Sequence, residues 1–324
     1  MTNSSLPTRC LRTRLLRSGA VGSLVLLATA VAGGSAGPAS GAGPGAGTMT
    51  AHAMRQSALR AARADYWTAL GVCFNISDPG ERNEALVEAQ EELEEALDLA
   101  EEQFAARLAL VALLGEDPYD PELDPADFVA GVDNPYFPLV PGRTLAYEKE
   151  TDEGLERLET TVEEETTEIL GIECTVVHEV ETLDGELVED TYDWFAQDVD
   201  GNVWYMGEIS LEYEDGELVS MEGSWKAGED GAKPGIPMEA APAPGDVYRQ
   251  EFKLGEAEDV GTVIAVGQTV AIDYGTFLDC VQIEDSSPLE PGNVEYKYYA
   301  PGIGMVLEVD PATGEELELV EIIE

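Results

Sequence analysis

The hydrophobic positions of this chain change their spacing once, from a helical repeat to an alternating one. Over residues 51–115, apolar side chains recur every three or four positions in two runs. The first run contains Leu59, Ala62, Tyr66, Leu70 and Cys73. Such spacing places side chains on one face of a helix, and Pro79 suits a helix start as Gly115 suits a helix end. The pattern predicts an antiparallel helical hairpin over residues 51–115.

From residue 128 onward, apolar and polar side chains alternate, which predicts strands with one buried face. Asp-Gly pairs at 184–185, 200–201, 215–216 and 230–231 are strong hairpin signals, because a tight turn needs positive φ. We therefore predict a four-stranded meander over residues 172–228. One or two further strands are predicted within residues 142–170. Single strands are predicted at 247–254, 260–273, 276–285, 294–299, 304–310 and 315–323.

The expected fold class is α+β, with an N-terminal helical hairpin followed by a large antiparallel curved β-sheet or half-open barrel. A single antiparallel sheet of about ten to twelve strands curls, which is the reason for expecting curvature. Residues 116–127 are rich in proline and aspartate and are predicted to be a stiff linker before a β domain at 128–324. Residues 226–246, rich in Gly, Pro and Ala, are predicted to be a long loop.

The N-terminal residues have the pattern of an export signal. Residues 1–36 combine four arginines and no acid with an apolar run at 20–32. This is typical of a secretory signal peptide, and the run is too short to span a bilayer. Cys10 precedes the run, which argues against a lipid anchor. We expect a secreted or cell-envelope protein with a flexible leader at 37–50 and no transmembrane helix in the mature chain.

The charge balance narrows the choice of partners. The chain has 17 Lys and Arg against 66 Asp and Glu, a formal net charge of −49. Because phosphate recognition needs a basic surface, this balance excludes a nucleic-acid binder. Either a high-salt habitat, where charge repulsion is screened, or an ordinary acidic secreted protein accounts for such a composition.

Three cysteines follow the predicted signal peptide: Cys73, Cys174 and Cys280. An oxidising compartment permits one internal disulfide among three cysteines. Cys174 and Cys280 both lie in strand-like runs and are the pair that we predict. Three buried free thiols are the alternative.

One segment has the composition of a hard-cation site. Asp198, Asp200 and Asn202 supply oxygen donors at alternate positions, which suits calcium. The segment is not an EF-hand loop, because its glycine stands at the fourth place and its twelfth residue is Ile209. A plain hairpin turn at Asp200 is the alternative explanation. No other cofactor is predicted.

Aromatic and scarce cationic residues gather in and around the predicted loop at 226–246. They are Trp194, Trp204, Tyr205, Trp225, Lys226, Lys233, Ile236 and Met238. We predict that they border an apolar cleft for a small ligand, with the loop as its lid. An ordered surface loop over core aromatics is the alternative.

Six segments resemble those of a family of uncharacterised bacterial exported proteins and lipoproteins. They are LGEDPYDP at 114–121, NPYFPLVPG at 134–142, EDTYDWFAQD at 189–198, NVWY at 202–205, WKAGEDGAKPG at 225–235 and KYYAPGIG at 297–304. The resemblance covers about residues 114–310 and implies a helical segment followed by an antiparallel β domain. It implies no reaction, substrate or catalytic residue.

The function that the sequence predicts is non-catalytic. We expect a ligand-binding or interaction module of the cell envelope or extracellular space, with a small apolar ligand or an envelope protein as its partner. A secreted carboxylate-dependent hydrolase acting on polysaccharide is one alternative, although acids are too numerous for a catalytic pair to be chosen by spacing. A calcium-stabilised structural module is the other.

Overall fold

The first structured part of the chain is a pair of long helices. The computed structural model describes residues 43–324, so the predicted signal peptide at 1–36 lies outside the described residues. Helix α1 spans Ala46–Cys73 and helix α2 spans Pro79–Leu114, which confirms the predicted helical hairpin. No helix in the described part of the chain has the length and apolarity needed to span a membrane.

Both ends of α2 are capped as the sequence indicates. The Asp78 carboxylate accepts hydrogen bonds from the backbone N–H groups of Gly80 and Glu81 at 2.8 and 3.0 Å. This satisfies two of the donors that every helix leaves unpaired at its N-terminus. At the other end Gly115 adopts a φ of 95°, a conformation that favours glycine.

Helix α1 begins earlier than predicted, because part of the expected leader at 37–50 is helical. The backbone N–H and the hydroxyl of Thr48 donate hydrogen bonds to the Glu116 carboxylate at 3.0 and 2.6 Å. Gly47 packs so closely on α2 that a Cβ there would lie 2.8 Å from Val111 Cγ2. These contacts hold the first turn of α1 against the end of α2.

Sixteen strands follow in the described part of the chain, each antiparallel to the strands that it pairs with. They are β1 (Phe128–Val129), β2 (Thr144–Thr151), β3 (Gly154–Ile169), β4 (Ile172–Leu183), β5 (Glu186–Asp198), β6 (Val203–Glu214), β7 (Glu217–Ser220), β8 (Trp225–Lys226), β9 (Lys233–Met238), β10 (Val247–Arg249), β11 (Glu251–Phe252), β12 (Val260–Ile272), β13 (Gly275–Ser286), β14 (Val294–Ala300), β15 (Gly304–Val309) and β16 (Glu316–Ile323). The predicted meander is confirmed as β4 to β7. Its first and last turns place Asp184 and Asp215 at positive φ, each followed by a glycine.

The sheet curves almost back on itself. Its strand order is β10-β12-β13-β14-β15-β16-β2-β3-β4-β5-β6-β9-β11, with β1, β7 and β8 as side pairings. The strands at the two ends of this order, β10 and β11, are separated in sequence by Gln250 alone. The structure is therefore a nearly closed antiparallel barrel preceded by a helical hairpin, and the predicted fold class is confirmed.

The inner face of the curved sheet carries one large core cluster. Its buried members are Val132, Val162, Val177, Phe195, Val203, Met238, Tyr248, Val263, Val281, Ile283 and Tyr299. A second cluster, which includes Cys174, Ala196, Met206 and Trp225, covers the opposite, outer face of β4 to β6. Successive residues of a strand point to opposite faces, so each of these strands alternates between the two clusters.

Strand β9 lies within residues 226–246, where the composition predicts a loop. Met238 pairs with Val203 and Gly235 pairs with Tyr205, so this segment is part of the sheet and Met238 is fully buried. Two prolines, Pro234 among them, make the segment look like a loop, because proline cannot donate a ladder hydrogen bond. The pairing with β6 is correspondingly irregular.

The predicted linker at 116–127 packs along β9. The Tyr119 hydroxyl donates a hydrogen bond to the carbonyl of Pro234 at 2.7 Å. Lys233 Nζ donates to the Tyr119 carbonyl and to Asp120 Oδ1, both at 2.7 Å. The helices and the sheet consequently belong to one compact unit.

The three described cysteines are free and buried. Cys174 lies in the second core cluster on β4, whereas Cys280 lies on β13 in a third cluster around Tyr147 and Leu319. Five strands lie between β13 and β4 in the sheet order: β14, β15, β16, β2 and β3. The predicted Cys174–Cys280 disulfide is therefore absent from the described residues, because the two side chains are packed into different clusters.

Candidate functional site

Charged residues follow the apolar core along the inner face of the barrel. On β4 the inner positions change from Val177 to Glu179, and on β14 they change from Tyr299 to Lys297. The inner face therefore has an apolar end and a charged end. The charged end is formed by Lys149, Glu156, Glu179, Glu181, Glu189, Asp193, Glu208, Asp285, Glu295, Lys297 and Glu308.

A cavity of about 450 Å³ is lined by both ends of the inner face. Its apolar lining includes Phe137, Leu145, Tyr147, Leu158, Tyr299 and Met305. Its charged lining includes Lys149, Glu156, Glu179, Glu181, Glu295, Lys297 and Glu308. The Tyr147 hydroxyl donates a hydrogen bond to the Met305 carbonyl at 3.1 Å, which satisfies it within the wall. The cavity is thus amphipathic.

Both lysines of the cavity are already paired with carboxylates. Lys297 Nζ lies 3.0 Å from Asp285 Oδ2 and 3.7 Å from Glu308 Oε2. Lys149 Nζ lies 2.8 Å from Glu156 Oε1. Burial acts to lower the pKa of Lys297, but the surrounding carboxylates outweigh it and raise that pKa well above its ordinary value. Lys297 is therefore a charged ammonium within the barrel.

Four further carboxylates lie at inner positions on three neighbouring strands. They are Glu179 on β4, Glu189 and Asp193 on β5 and Glu208 on β6. Asp193 and Glu208 are direct cross-strand partners. Within the described residues, none of the four has a Lys or Arg nitrogen within 4 Å. We call these four residues the carboxylate cluster.

Burial and mutual repulsion change the protonation of these acids. Burial first, and then the charges of Glu179 and Glu208, raises the pKa of Asp193 well above its ordinary value. Burial and neighbouring carboxylates raise the pKa of Glu208 to about 7, and the same two causes raise the pKa of Glu181 to about 7. Several inner carboxyl groups therefore hold protons at a pH where exposed ones are ionised.

Asp193 combines deep burial with an unused acceptor. Its residue surface is 6% exposed. Oδ1 accepts a hydrogen bond from the Tyr205 hydroxyl, whereas Oδ2 is buried without a hydrogen-bond partner in the described part of the chain. Since buried polar atoms are nearly always paired, Oδ2 marks a place where a hydrogen-bond partner is expected. The Tyr205 ring stacks on Phe195 at 4.8 Å, which orients its hydroxyl toward Asp193.

The eight residues predicted to border a cleft divide between different environments. Tyr205, Ile236 and Met238 pack in or against the inner core. Trp225 is buried in the second cluster and donates its indole N–H to Glu251 at 2.7 Å. Of these four, Tyr205, Ile236 and Met238 contact the barrel interior, Trp225 lies on the outer face, and none lines the 450 Å³ cavity.

The other four of the eight lie outside the inner core. Trp194 and Trp204 pack against the second cluster. Lys226 pairs with Glu229 at 3.0 Å, and Lys233 is held by the segment before β1. The structure therefore does not bring all eight residues to one cleft.

The segment predicted to bind calcium forms a closed turn. Asp198 Oδ1 accepts hydrogen bonds from the backbone N–H groups of Asp200 and Asn202 at 3.0 and 2.9 Å. Oδ2 accepts from Asn202 Nδ2 and Trp204 Nε1, both at 2.9 Å. Burial acts to raise the pKa of Asp198, but these hydrogen bonds lower it. Among the described residues, no group of three or more His, Cys, Asp or Glu side chains is arranged to hold a metal.

Sequence reasoning missed the carboxylate cluster because acids occupy both faces of the strands. Counting outward from the turn at Asp184 places Glu181 opposite Val188. A bulge between Glu181 and Thr182 shifts the pairing and brings Glu189 opposite Glu181 instead. The available signal was the pair of acids at alternate positions of β4, Glu179 and Glu181, on the same face as Val177.

Comparison with models of protein families gives no match, and comparison with curated proteins gives none either. Among solved structures, the chain is similar to that described as a "putative lipoprotein" from Parabacteroides distasonis. The two share 14% sequence identity over 58% of this chain and 98% of that chain, with a TM-score of 0.28. So low a TM-score supports no conclusion about fold or function.

Proposed function

We propose that this protein is a non-catalytic binding protein of the extracellular space or cell envelope. Its ligand would be a small amphipathic molecule held in the 450 Å³ cavity of the inner face. The observation that carries the proposal is the division of the cavity wall into an apolar part around Leu158 and a charged part around Glu179. A ligand with one apolar and one polar end matches such a wall.

The size of the cavity supports this proposal. Cavities that hold small molecules are roughly 300–1,000 Å³, and this one, at about 450 Å³, lies in that range. Burial of apolar surface contributes about 25 cal/mol per Å², so an alkyl or aromatic group against Leu158 and Met305 would supply most of the affinity. The charged side chains would then fix the orientation of the polar end.

The export pattern of residues 1–36 supports the proposed location. A basic segment followed by a short apolar run directs a chain out of the cytoplasm. A barrel that encloses its ligand would shield an apolar molecule from water outside the cell. The non-catalytic character and the location are both parts of the proposal.

A fluorescent neutral probe tests whether the cavity binds ligands. N-phenyl-1-naphthylamine gains fluorescence in apolar surroundings, so titration into the mature protein should give a saturable one-to-one curve. The substitution Leu158→Trp fills the cavity from its apolar wall and should weaken binding at least tenfold. The matched control is Leu155→Trp on the same strand, where the side chain is 41% exposed and outside the cavity.

Three outcomes distinguish the possibilities. Loss of binding in Leu158→Trp with retention in Leu155→Trp would support the proposal. Equal binding by both variants would place the probe elsewhere on the molecule. Failure of the wild-type protein to bind the probe or decanol at submicellar concentrations would contradict the proposed function.

A further inference from the structure

We infer that the polar end of the ligand is an organic cation, a primary ammonium group seated at the carboxylate cluster around Asp193. The inference rests on the proposed function and adds the chemical class of the ligand. Its starting point is the charge balance of the inner face, where carboxylates far outnumber the two lysines.

An anionic ligand would find no unpaired cation on the described inner face. Lys297 already has Asp285, Glu308 and Glu295 carboxylate oxygens within 4 Å of its ammonium nitrogen. The ammonium of Lys149 forms an ion pair with the carboxylate of Glu156. A ligand carboxylate would have to displace one of these partners while entering a field of surplus negative charge. A cation enters the same field favourably.

Among the described residues, the carboxylate cluster has no ion-pair partner within 4 Å, and Lys297 acts on Glu179 only from farther away. Asp193 and Glu208 face each other across β5 and β6, and directly opposed like charges destabilise a sheet. The charges of Glu179 and Glu189 add to the same repulsion. An ammonium placed among these groups would offset the repulsion that now keeps some of them protonated.

The buried Oδ2 of Asp193 points to a ligand independently of the charge count. This oxygen has no hydrogen-bond partner in the described part of the chain, although the residue is 94% buried. A primary ammonium carries three N–H donors and no acceptor, so it can donate to Oδ2 once Asp193 is ionised and still reach a neighbouring carboxylate. An alcohol supplies one donor, and a carboxylate supplies none.

Glu179 connects the cluster to the cavity. It lines the 450 Å³ cavity and also acts on the protonation of Asp193. Thr160 donates a hydrogen bond to Glu179 Oε1 at 2.9 Å, which holds that carboxylate on the inner face. On the inner face Asp193 is the diagonal neighbour of Glu179, because Glu179 pairs with Thr191 and Val177 pairs with Asp193. A ligand with its chain against Leu158 and Tyr147 would therefore place its ammonium at Glu179 and beside Asp193, which lies outside the cavity lining.

Calorimetric titration of three probes that differ only in the head group tests the inference. The probes are decylammonium, decanol and decanoate, each below its micellar concentration, at pH 7.5 and 0.15 M salt. We expect decylammonium to bind at least tenfold more tightly than decanol, and decanoate to bind more weakly than either. Asp193→Asn and, separately, Glu208→Gln should bring the ammonium and alcohol affinities within about threefold of each other. Glu186→Gln, an exposed acid on the same strand, is the matched control and should keep the full preference.

The outcomes separate this inference from the proposed function. Equal binding of decylammonium and decanol to the wild-type protein would overturn the ammonium assignment and leave the cavity proposal standing. A preference that Glu186→Gln reduces as much as Asp193→Asn and Glu208→Gln do would show attraction to the acidic surface and also overturn it. If none of the three probes binds, the proposed function itself fails.

Discussion

Arg107 on α2 and Glu258, just before β12, form a bidentate ion pair in which both side chains are buried. Arg107 Nε and Nη2 donate to the Glu258 carboxylate at 2.9 and 2.6 Å. Glu258 also accepts a hydrogen bond from the backbone N–H of Gly255 at 2.7 Å. The pair joins the helical hairpin to the barrel, and its two side chains are only 7% and 2% exposed.

Removing one partner of this pair should destabilise the whole fold. Arg107→Ala leaves the Glu258 charge buried without its partner, and such losses cost about 3–5 kcal/mol. The matched control is Arg55→Ala, which breaks a more exposed pair with Glu101 and should lower the free energy of unfolding far less, because solvent screens exposed ion pairs. Urea unfolding monitored by circular dichroism measures both. Equal effects of the two substitutions would show that Arg107 does not anchor the hairpin.

Glu208→Gln should change how stability depends on pH. The pKa of Glu208 is about 7 in the folded protein and 4.5 as the ordinary value. Between these values the folded state holds a proton that the unfolded chain has released, so the free energy of unfolding falls as pH rises from about 4.5 to 7. Glutamine does not titrate, so Glu208→Gln removes this pH-dependent loss of stability. The substitution should raise the free energy of unfolding at pH 8 by on the order of 1–3 kcal/mol.

Urea unfolding at pH 5 and pH 8 is the measurement for Glu208→Gln. The control, Glu214→Gln, removes one charge from an exposed position on the same strand. It measures how much stability the protein gains merely because its acidic surface carries one negative charge fewer. A gain at pH 8 that is no larger than the gain of the control would contradict the assignment of a raised pKa to Glu208.

Gly235→Ala should disrupt the junction of β9 with the end of the sheet. A Cβ on Gly235 would collide with the backbone carbonyl of Gln250. Overpacking of this kind costs about 1–3 kcal/mol, and a backbone obstacle places the expected loss at the upper end. Gly275→Ala is the control, because a Cβ there meets no atom within 4 Å. A thermal midpoint of Gly235→Ala equal to that of Gly275→Ala would contradict the close approach.

Asp198→Ala should destabilise the turn between β5 and β6, because four donors lose their acceptor. At about 0.5–1.5 kcal/mol for each hydrogen bond, the expected loss is on the order of 2–6 kcal/mol. Asp200→Ala, which removes a carboxylate from the same turn, should cost less than about 1 kcal/mol. Differential scanning fluorimetry with 5 mM calcium or a chelator completes the test, and we expect no shift in Tm. A calcium-dependent rise in Tm that Asp200→Ala abolishes would restore the calcium hypothesis.

The architecture was predictable because local signals agreed with it. The helical repeat around Leu59, the helix start at Pro79 and the Asp-Gly turn at Asp215 each specify an element without tertiary information. Strand β9 was not predictable, because Pro234 contradicts a strand and only the neighbours on β6 and β11 stabilise one there. Tertiary pairing overrides local propensity in that segment.

The candidate site was less predictable than the fold. On β5 the outer residues Trp194 and Ala196 are more apolar than the inner residues Thr191 and Asp193, because β8 and the segment that follows it cover that part of the outer face. The alternation of apolar and polar residues therefore predicts that the outer face of this part of β5 is the buried one, and it gives no sign of the charged inner face. A register shift between Trp194 and Phe195 further changes which residue of β6 faces Asp193, and no local signal specifies it.

Gln250, standing alone between β10 and β11, affects how the molecule behaves in crowded solution. A long antiparallel sheet with open ends offers unpaired N–H and C=O groups to other chains, which is the starting point of fibril growth. Here one residue joins the two end strands, and each is only two or three residues long. At this seam a second molecule would find little edge on which to add a strand, whereas in the described part of the chain β12 has no partner on that side beyond Val263. Resistance to edge-to-edge polymerisation at the seam is therefore built into the connectivity of the barrel and does not depend on charge repulsion, so it would persist there when salt screens the acidic surface.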